Sequence, residues 1–166
     1  KLREVPGIKI FIIAIVWAII CGFLPATATS TPGIHFFSFR VIAWSLCLSL
    51  LIFSLTIPFD IRDHHYDGEK LKTIPSITGI RRSVVIANGS LLFSALIVAV
   101  LVFFFHTGSA AMFAAYAAWC IPASVLIAKS SPKRSEYYFS FWVDGLMILL
   151  FLLLWAADFI QRFAES

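Results

Sequence analysis

The sequence predicts an all-α polytopic membrane protein with five transmembrane helices, and composition, run length and charge placement each point that way. Hydrophobic residues make up 60% of the chain and charged residues 13%, about half the charged share of an ordinary soluble domain; mean hydropathy is +0.93. Apolar runs at 8–26, 36–58, 83–105, 109–128 and 139–160 each match the length, about 20 residues, that crosses hydrocarbon as a helix. Basic residues gather in alternate connections, which is how short loops on one side of a bilayer are marked. At 166 residues the chain suits a single transmembrane unit with no separate soluble domain.

The first run follows Pro6-Gly7 and ends near Pro25, and the stretch TATSTPG at 27–33 then reads as a short turn. The second run ends at Pro58. A polar connection at 59–82 leads to the third run, and only His106, Thr107 and Gly108 separate the third from the fourth, a tight helical hairpin. Helices are expected throughout, because backbone groups cannot stay unpaired in hydrocarbon. The first run is span-length and lacks a small-residue cleavage pattern, so it does not read as a signal peptide. Lys1 falls in what reads as the middle of a cytoplasmic loop, and further sequence is expected upstream of it.

Lys1, Arg3 and Lys9 flank the first run; Arg62, Lys70, Lys72, Arg81 and Arg82 occupy the second connection; Lys129, Lys133 and Arg134 occupy the fourth. Arg40 and Arg162 alone fall at the opposite ends. Alternating helices put all three basic groups on one side, which predicts a cytoplasmic 59–82 connection and an outer C-terminus. The formal net charge of +4 is modest, and the basic residues sit beside apolar spans rather than along a soluble face, which points away from nucleic acid and toward membrane lipids. Cys21, Cys47 and Cys120 lie inside apolar runs without metal-ligand spacing, so they read as small packing side chains.

Chemistry concentrates in the second connection, PFDIRDHHYDGEKLKTIPSITG, where Asp60, Asp63 and Asp67 fall within eight residues. Clustered carboxylates at a membrane surface repel one another, and a shared hard cation, Mg²⁺ above all, relieves that repulsion through oxygen ligands and substrate phosphates. A diphosphate site at the edge of the bilayer is the expectation. The bland alternative, a solvated loop whose acids balance five nearby basic residues, does not account for the spacing or for the Thr73-Ile74-Pro75 tail. His64 and His65 are adjacent on a loop with no third histidine nearby and read as solvated.

Asp60-x-x-Asp63-x-x-x-Asp67, followed by Lys70-Leu71-Lys72-Thr73-Ile74-Pro75 and Gly79, resembles the second aspartate-rich motif of the UbiA-type intramembrane prenyltransferases. The opening KLREVPGIKIFIIAIVWAI is similar to that family's entry into its fifth helix, so the resemblance covers the chain as helices five to nine of a nine-helix bundle. It implies Mg²⁺-dependent transfer of a polyprenyl chain from its diphosphate to a lipophilic, often aromatic acceptor, a quinone-ring precursor being the commonest, in a membrane such as the bacterial inner membrane. In that reading Asp60, Asp63 and Asp67 hold Mg²⁺, and Lys72, with Lys70 or Arg62, meets phosphate oxygens. No catalytic base or nucleophile is assigned.

The family's first motif, of Asn-Asp-x-x-Asp type, has no counterpart here, and Asp144 and Asp158 are too far apart in the last run to replace it. The chain alone is therefore not expected to catalyse the reaction, and an N-terminal half or other membrane subunits are expected partners. The competing reading is a degenerate UbiA-like subunit with a structural or lipid-binding role. A channel or transporter segment is disfavoured, because the acids cluster at one rim rather than through the membrane depth. Asp144 is expected to line a cavity or pair at the interface, Asn88 to bond across helices, and Asp158 to snorkel or pair with Arg162. Arg81 and Arg82 read as headgroup anchors, and no individual phenylalanine is assigned to an isoprenoid tunnel.

Overall fold

The structure, a computed structural model, describes residues 7–28, 38–63 and 73–164, and among them every regular element is helical. The chain runs through α1 (Ile8–Ala18), a π turn (Ile19–Phe23) and α2 (Leu24–Ala28). Next come α3 (Phe39–Asp63), the short α4 (Ile74–Thr78), α5 (Ile80–Phe103) and α6 (Ala110–Ala128). A second π segment (Tyr138–Val143) then leads into α7 (Asp144–Ala164). Five helical stretches are long and apolar enough to cross a membrane: Ile8–Ala26, Phe39–Asp63, Ile80–Phe103, Ala110–Ala128 and Tyr138–Phe163.

The first π turn has a local cause. Pro25 has no N–H to give the carbonyl four residues back, and a widened turn absorbs that mismatch without ending the helix. The same reasoning explains the largest departure from the sequence reading. Pro58 was expected to end the second span and open a loop at 59, yet α3 continues through it to Asp63. Pro58 is fully buried, and its surroundings outweigh the one lost hydrogen bond. Part of the expected 59–82 loop is therefore helical: Phe59–Asp63 belongs to α3, Ile74–Thr78 forms α4, and α5 begins at Ile80 rather than at 83.

The central helix is α3. Its most apolar window is 56% buried, against 17–28% for the other four spans. It packs against α1 and α5, with α6 and α7 completing the bundle. Gly22 lets α1's continuation approach α3 closely: a Cβ there would sit 3.1 Å from the Ser45 hydroxyl and 3.3 Å from its Cα. The core runs through Ile57, Ile61, Ala87, Trp119, Ala123, Ile127 and Phe139, all at 0% exposure. Trp119 closes it by donating its indole N–H to the Leu146 carbonyl at 2.7 Å, tying α6 to α7. Large apolar side chains such as Val85, Leu92, Ile121, Ile148 and Phe151 cover the outside, the expected surface of helices solvated by lipid rather than water.

The connection between α5 and α6 covers six residues, 104–109, rather than the three expected, because α5 ends at Phe103 and α6 begins at Ala110. The Thr107 N–H and hydroxyl both donate to the Leu101 carbonyl, at 3.0 and 2.8 Å, closing the end of α5. Ser109 caps α6 by accepting from the Met112 N–H at 3.2 Å.

Candidate functional site

Two of the three aspartates lie on the last turn of α3. The helix carries Asp60 and Asp63 three residues apart, the spacing that brings side chains to neighbouring positions on one helical face. Asp60 is buried, 3% exposed, while Asp63 is part-buried. Asp67, Lys70 and Lys72 lie outside the described residues, as do His64 and His65.

Arg62 organises this end of the bundle. Its Nε donates to Asp63 Oδ1 at 2.7 Å, and a terminal nitrogen donates to Glu136 Oε2 at 3.2 Å. The guanidinium carbon lies 5.4 Å from the Phe59 ring centroid and 5.7 Å from that of Phe139, within the range of cation–π attraction. The flat cation is thus held by two aromatic rings and ion-paired to two carboxylates, one on its own helix and one from the segment between α6 and α7. Glu136 was not singled out from the sequence. Its partner lies 74 residues away, a distance no local pattern reports.

The head of α4 adds polar groups beside α3. Thr73 is 6% exposed, and its hydroxyl has no hydrogen-bond partner among the described residues. The Ser76 hydroxyl donates to the Thr73 carbonyl at 2.7 Å. Gly79 ends α4 and begins α5 with φ 81° and ψ 153°, a region that essentially only glycine enters. The Gly in the motif therefore has a physical job: it turns the chain between two helices. A Cβ on Gly7 would meet Ile74 at 3.1 Å, so the start of α1 also reaches this end. Lys9, Arg62, Arg81, Arg82, Lys129, Lys133 and Arg134 accordingly belong to helix ends and connections at one end of the bundle.

No protein-family model, curated protein or solved structure matches this chain.

Among the described residues, no group of three metal-capable side chains is assembled. The donor chemistry of the two placed aspartates still suits a hard cation, because both offer carboxylate oxygens from one helical turn. At the head of α4, the Thr73 hydroxyl is a buried oxygen with no partner among the described residues.

The remaining intramembrane polar residues resolve individually. Asp158 pairs with Arg162 at 2.9 Å, one of the two expected roles. Asp144 is exposed at the first position of α7. Among the described residues Asn88 has no bond across helices: its amide donates to the Val84 carbonyl of its own helix at 3.0 Å, and its buried oxygen has no partner among them. Back-bonding to the carbonyl four residues earlier is the nearest option open to a short polar side chain in a helix. The interhelical role falls instead to a cluster the sequence reading passed over, Cys47, Ser94 and Tyr116. The Cys47 sulfur lies 3.3 Å from the Ser94 hydroxyl, which is also hydrogen-bonded to the Tyr116 hydroxyl. The available signal was a serine in an apolar run and a tyrosine among alanines, two polar residues at membrane depth.

Proposed function

We propose that this chain is the C-terminal part of a Mg²⁺-dependent polyprenyl-diphosphate transferase of the UbiA type, acting on a lipophilic, aromatic acceptor such as a quinone-ring precursor. One observation carries the reading: the Asp60-x-x-Asp63-x-x-x-Asp67 run with its Lys-x-Lys-Thr-Ile-Pro tail starts on the end of a membrane-length helix. Two supports accompany it. Asp60 and Asp63 share one helical turn, and the connections rich in Lys and Arg gather at the same end. That end is assigned to the cytoplasm and the C-terminus to the outer side, following the bias of short cytoplasmic loops toward basic residues. A bacterial inner membrane is the proposed location.

In this reaction the allylic C–O bond breaks with its electron pair leaving on the diphosphate, the acceptor carbon attacks the allylic carbon, and the acceptor gives up a proton. Negative charge grows on the leaving group, so cationic groups held there stabilise the transition state more than the ground state. Bound Mg²⁺ supplies that charge stabilisation. Asp60, Asp63 and Asp67 are its proposed ligands. Lys72, Lys70 and Arg62 are assigned to phosphate oxygens, Arg62 from the position its rings and carboxylates define.

The test uses the full-length protein, reconstituted in vesicles and supplied with a polyprenyl diphosphate, Mg²⁺ and a panel of aromatic acceptors. Replacing Asp63 and Asp67 with Ala is expected to abolish Mg²⁺-dependent transfer with membrane insertion intact; undiminished turnover would remove the proposed role. A second reading, a non-catalytic UbiA-like subunit, has its own support: Asp63 and Glu136 are both ion-paired to Arg62, so a proposed metal ligand already has a cationic partner from the chain itself. A complete protein that inserts, pairs with other membrane subunits and shows no transfer with any donor favours this reading.

A further inference from the structure

At the end of the bundle opposite Asp60 lies an apolar cavity of about 380 Å³, within the size range of small-molecule sites. Arg40, at its mouth, is twenty residues from Asp60 on α3, and Leu51, the α3 lining residue nearest the acidic cluster, is still nine residues from Asp60, about 13 Å at the helical rise, so this cavity is separate from that cluster. Its walls are aliphatic and aromatic side chains of the α1–α2 segment, α3, α5, α6 and α7, with Trp44 and Val41 among them. Besides the Trp44 indole, three uncharged side chains with polar atoms line it, Cys21, Cys47 and Tyr116. Cys47 and Tyr116 are both engaged with Ser94, so the wall that a ligand meets is mainly apolar. Arg40 is the one charged residue in the lining. It is exposed, in the first turn of α3, and has no ion-pair partner among the described residues.

We propose that this cavity binds one hydrocarbon chain of a fatty-acid-type amphiphile, with its carboxylate on the Arg40 guanidinium. The apolar wall selects a chain over a polar solute, since burying an unpaired polar group there would be costly. The single cation selects the head: a carboxylate matches one guanidinium in charge and in two-pronged geometry, whereas a diphosphate would leave charge uncompensated. The positive end of the α3 dipole adds to the attraction at the same mouth. A two-chain phospholipid would have to leave one chain outside a space of this volume. The inference does not rest on the prenyl-transfer reading, because it uses none of the residues assigned to that reaction.

Trp44 in the cavity wall provides the readout. The protein is placed in nanodiscs of zwitterionic lipid, at a pH that keeps the acid ionised, and titrated with 9,10-dibromostearate, whose bromines quench nearby indoles. Saturable quenching is expected that is lost in Trp44→Phe and in the cavity-filling Val41→Phe. Palmitate should reverse it and palmityl alcohol should compete only weakly. Arg40→Gln should weaken palmitate about tenfold or more, the usual scale of a lost charged hydrogen bond, without changing the weak competition by the alcohol, while Arg40→Lys retains most of the affinity. Arg40 is a surface position, so that pair reports on the head group even if the filling variant misfolds. Unsaturable quenching, equal quenching in Trp44→Phe, or equal competition by acid and alcohol would overturn the proposal. So would displacement by farnesyl diphosphate or phosphatidylglycerol more effective than by palmitate.

Discussion

Adding the same methyl group to two glycines should change stability in opposite directions. Gly79 and Gly89 both face open space: a Cβ on either would meet nothing within 4 Å, so packing cannot distinguish them. Backbone conformation does. Gly79 sits at φ 81° and ψ 153° between α4 and α5, where a non-glycine residue costs of order 1–3 kcal/mol. Gly89 lies in the interior of α5, where Gly is about 0.5–1 kcal/mol worse than Ala. Gly79→Ala should therefore destabilise and Gly89→Ala stabilise, with the two separated by about 1.5–4 kcal/mol. Reversible unfolding in mixed detergent micelles, followed by far-ultraviolet circular dichroism, measures both. Shifts of the same sign, or a neutral Gly79→Ala, would mean that α4 and α5 do not meet at a left-handed glycine. The joint matters for the site because α4 carries Thr73 and receives the acidic connection from α3.

Gly22→Ala should loosen the α1–α3 contact, because the new Cβ meets the Ser45 backbone at 3.3 Å. A loss of about 1–3 kcal/mol is expected from overpacking in the same unfolding assay. Trp119→Phe removes the indole N–H that ties α6 to the Leu146 carbonyl and leaves the space of the lost five-membered ring empty in the core; the expected loss is about 1–3 kcal/mol, visible as a lowered unfolding midpoint. Arg62→Lys keeps the charge but cannot hold Asp63 and Glu136 in one planar fork. Its stability cost should be about 1 kcal/mol or less, since the pair is part-exposed and solvent-screened, and under the proposed function the KM for the diphosphate substrate should rise more than kcat falls.

How much of the site was legible differs residue by residue. The Asp60–Asp63 spacing, the loop's basic residues and Gly79 were readable because each is a local pattern with a local cause. The helical placement of Asp60 and Asp63 was not, because Pro58 is locally a stop signal and only burial on all sides carries α3 past it. Glu136 as the second carboxylate on Arg62, and Phe139 as one of its two flanking rings, depend on the α6–α7 segment returning to the end of α3. Asn88 went the other way: a sequence-level expectation of cross-helix bonding gave way to a carbonyl four residues back.

The five membrane-length helices and their alternating charged connections were decided by the sequence alone, because burial in hydrocarbon constrains every residue of a run at once. Which helix lies at the centre was decided only by tertiary structure. α3 is not the most apolar span, with a window hydropathy of 2.1 against 1.8–2.5 for the others, yet it is the most buried. In a bilayer the outside of the bundle is as greasy as its inside, so hydrophobicity cannot rank the helices. Close approach at Gly22, the Trp119 bond to Leu146 and the Cys47–Ser94–Tyr116 cluster set their arrangement instead.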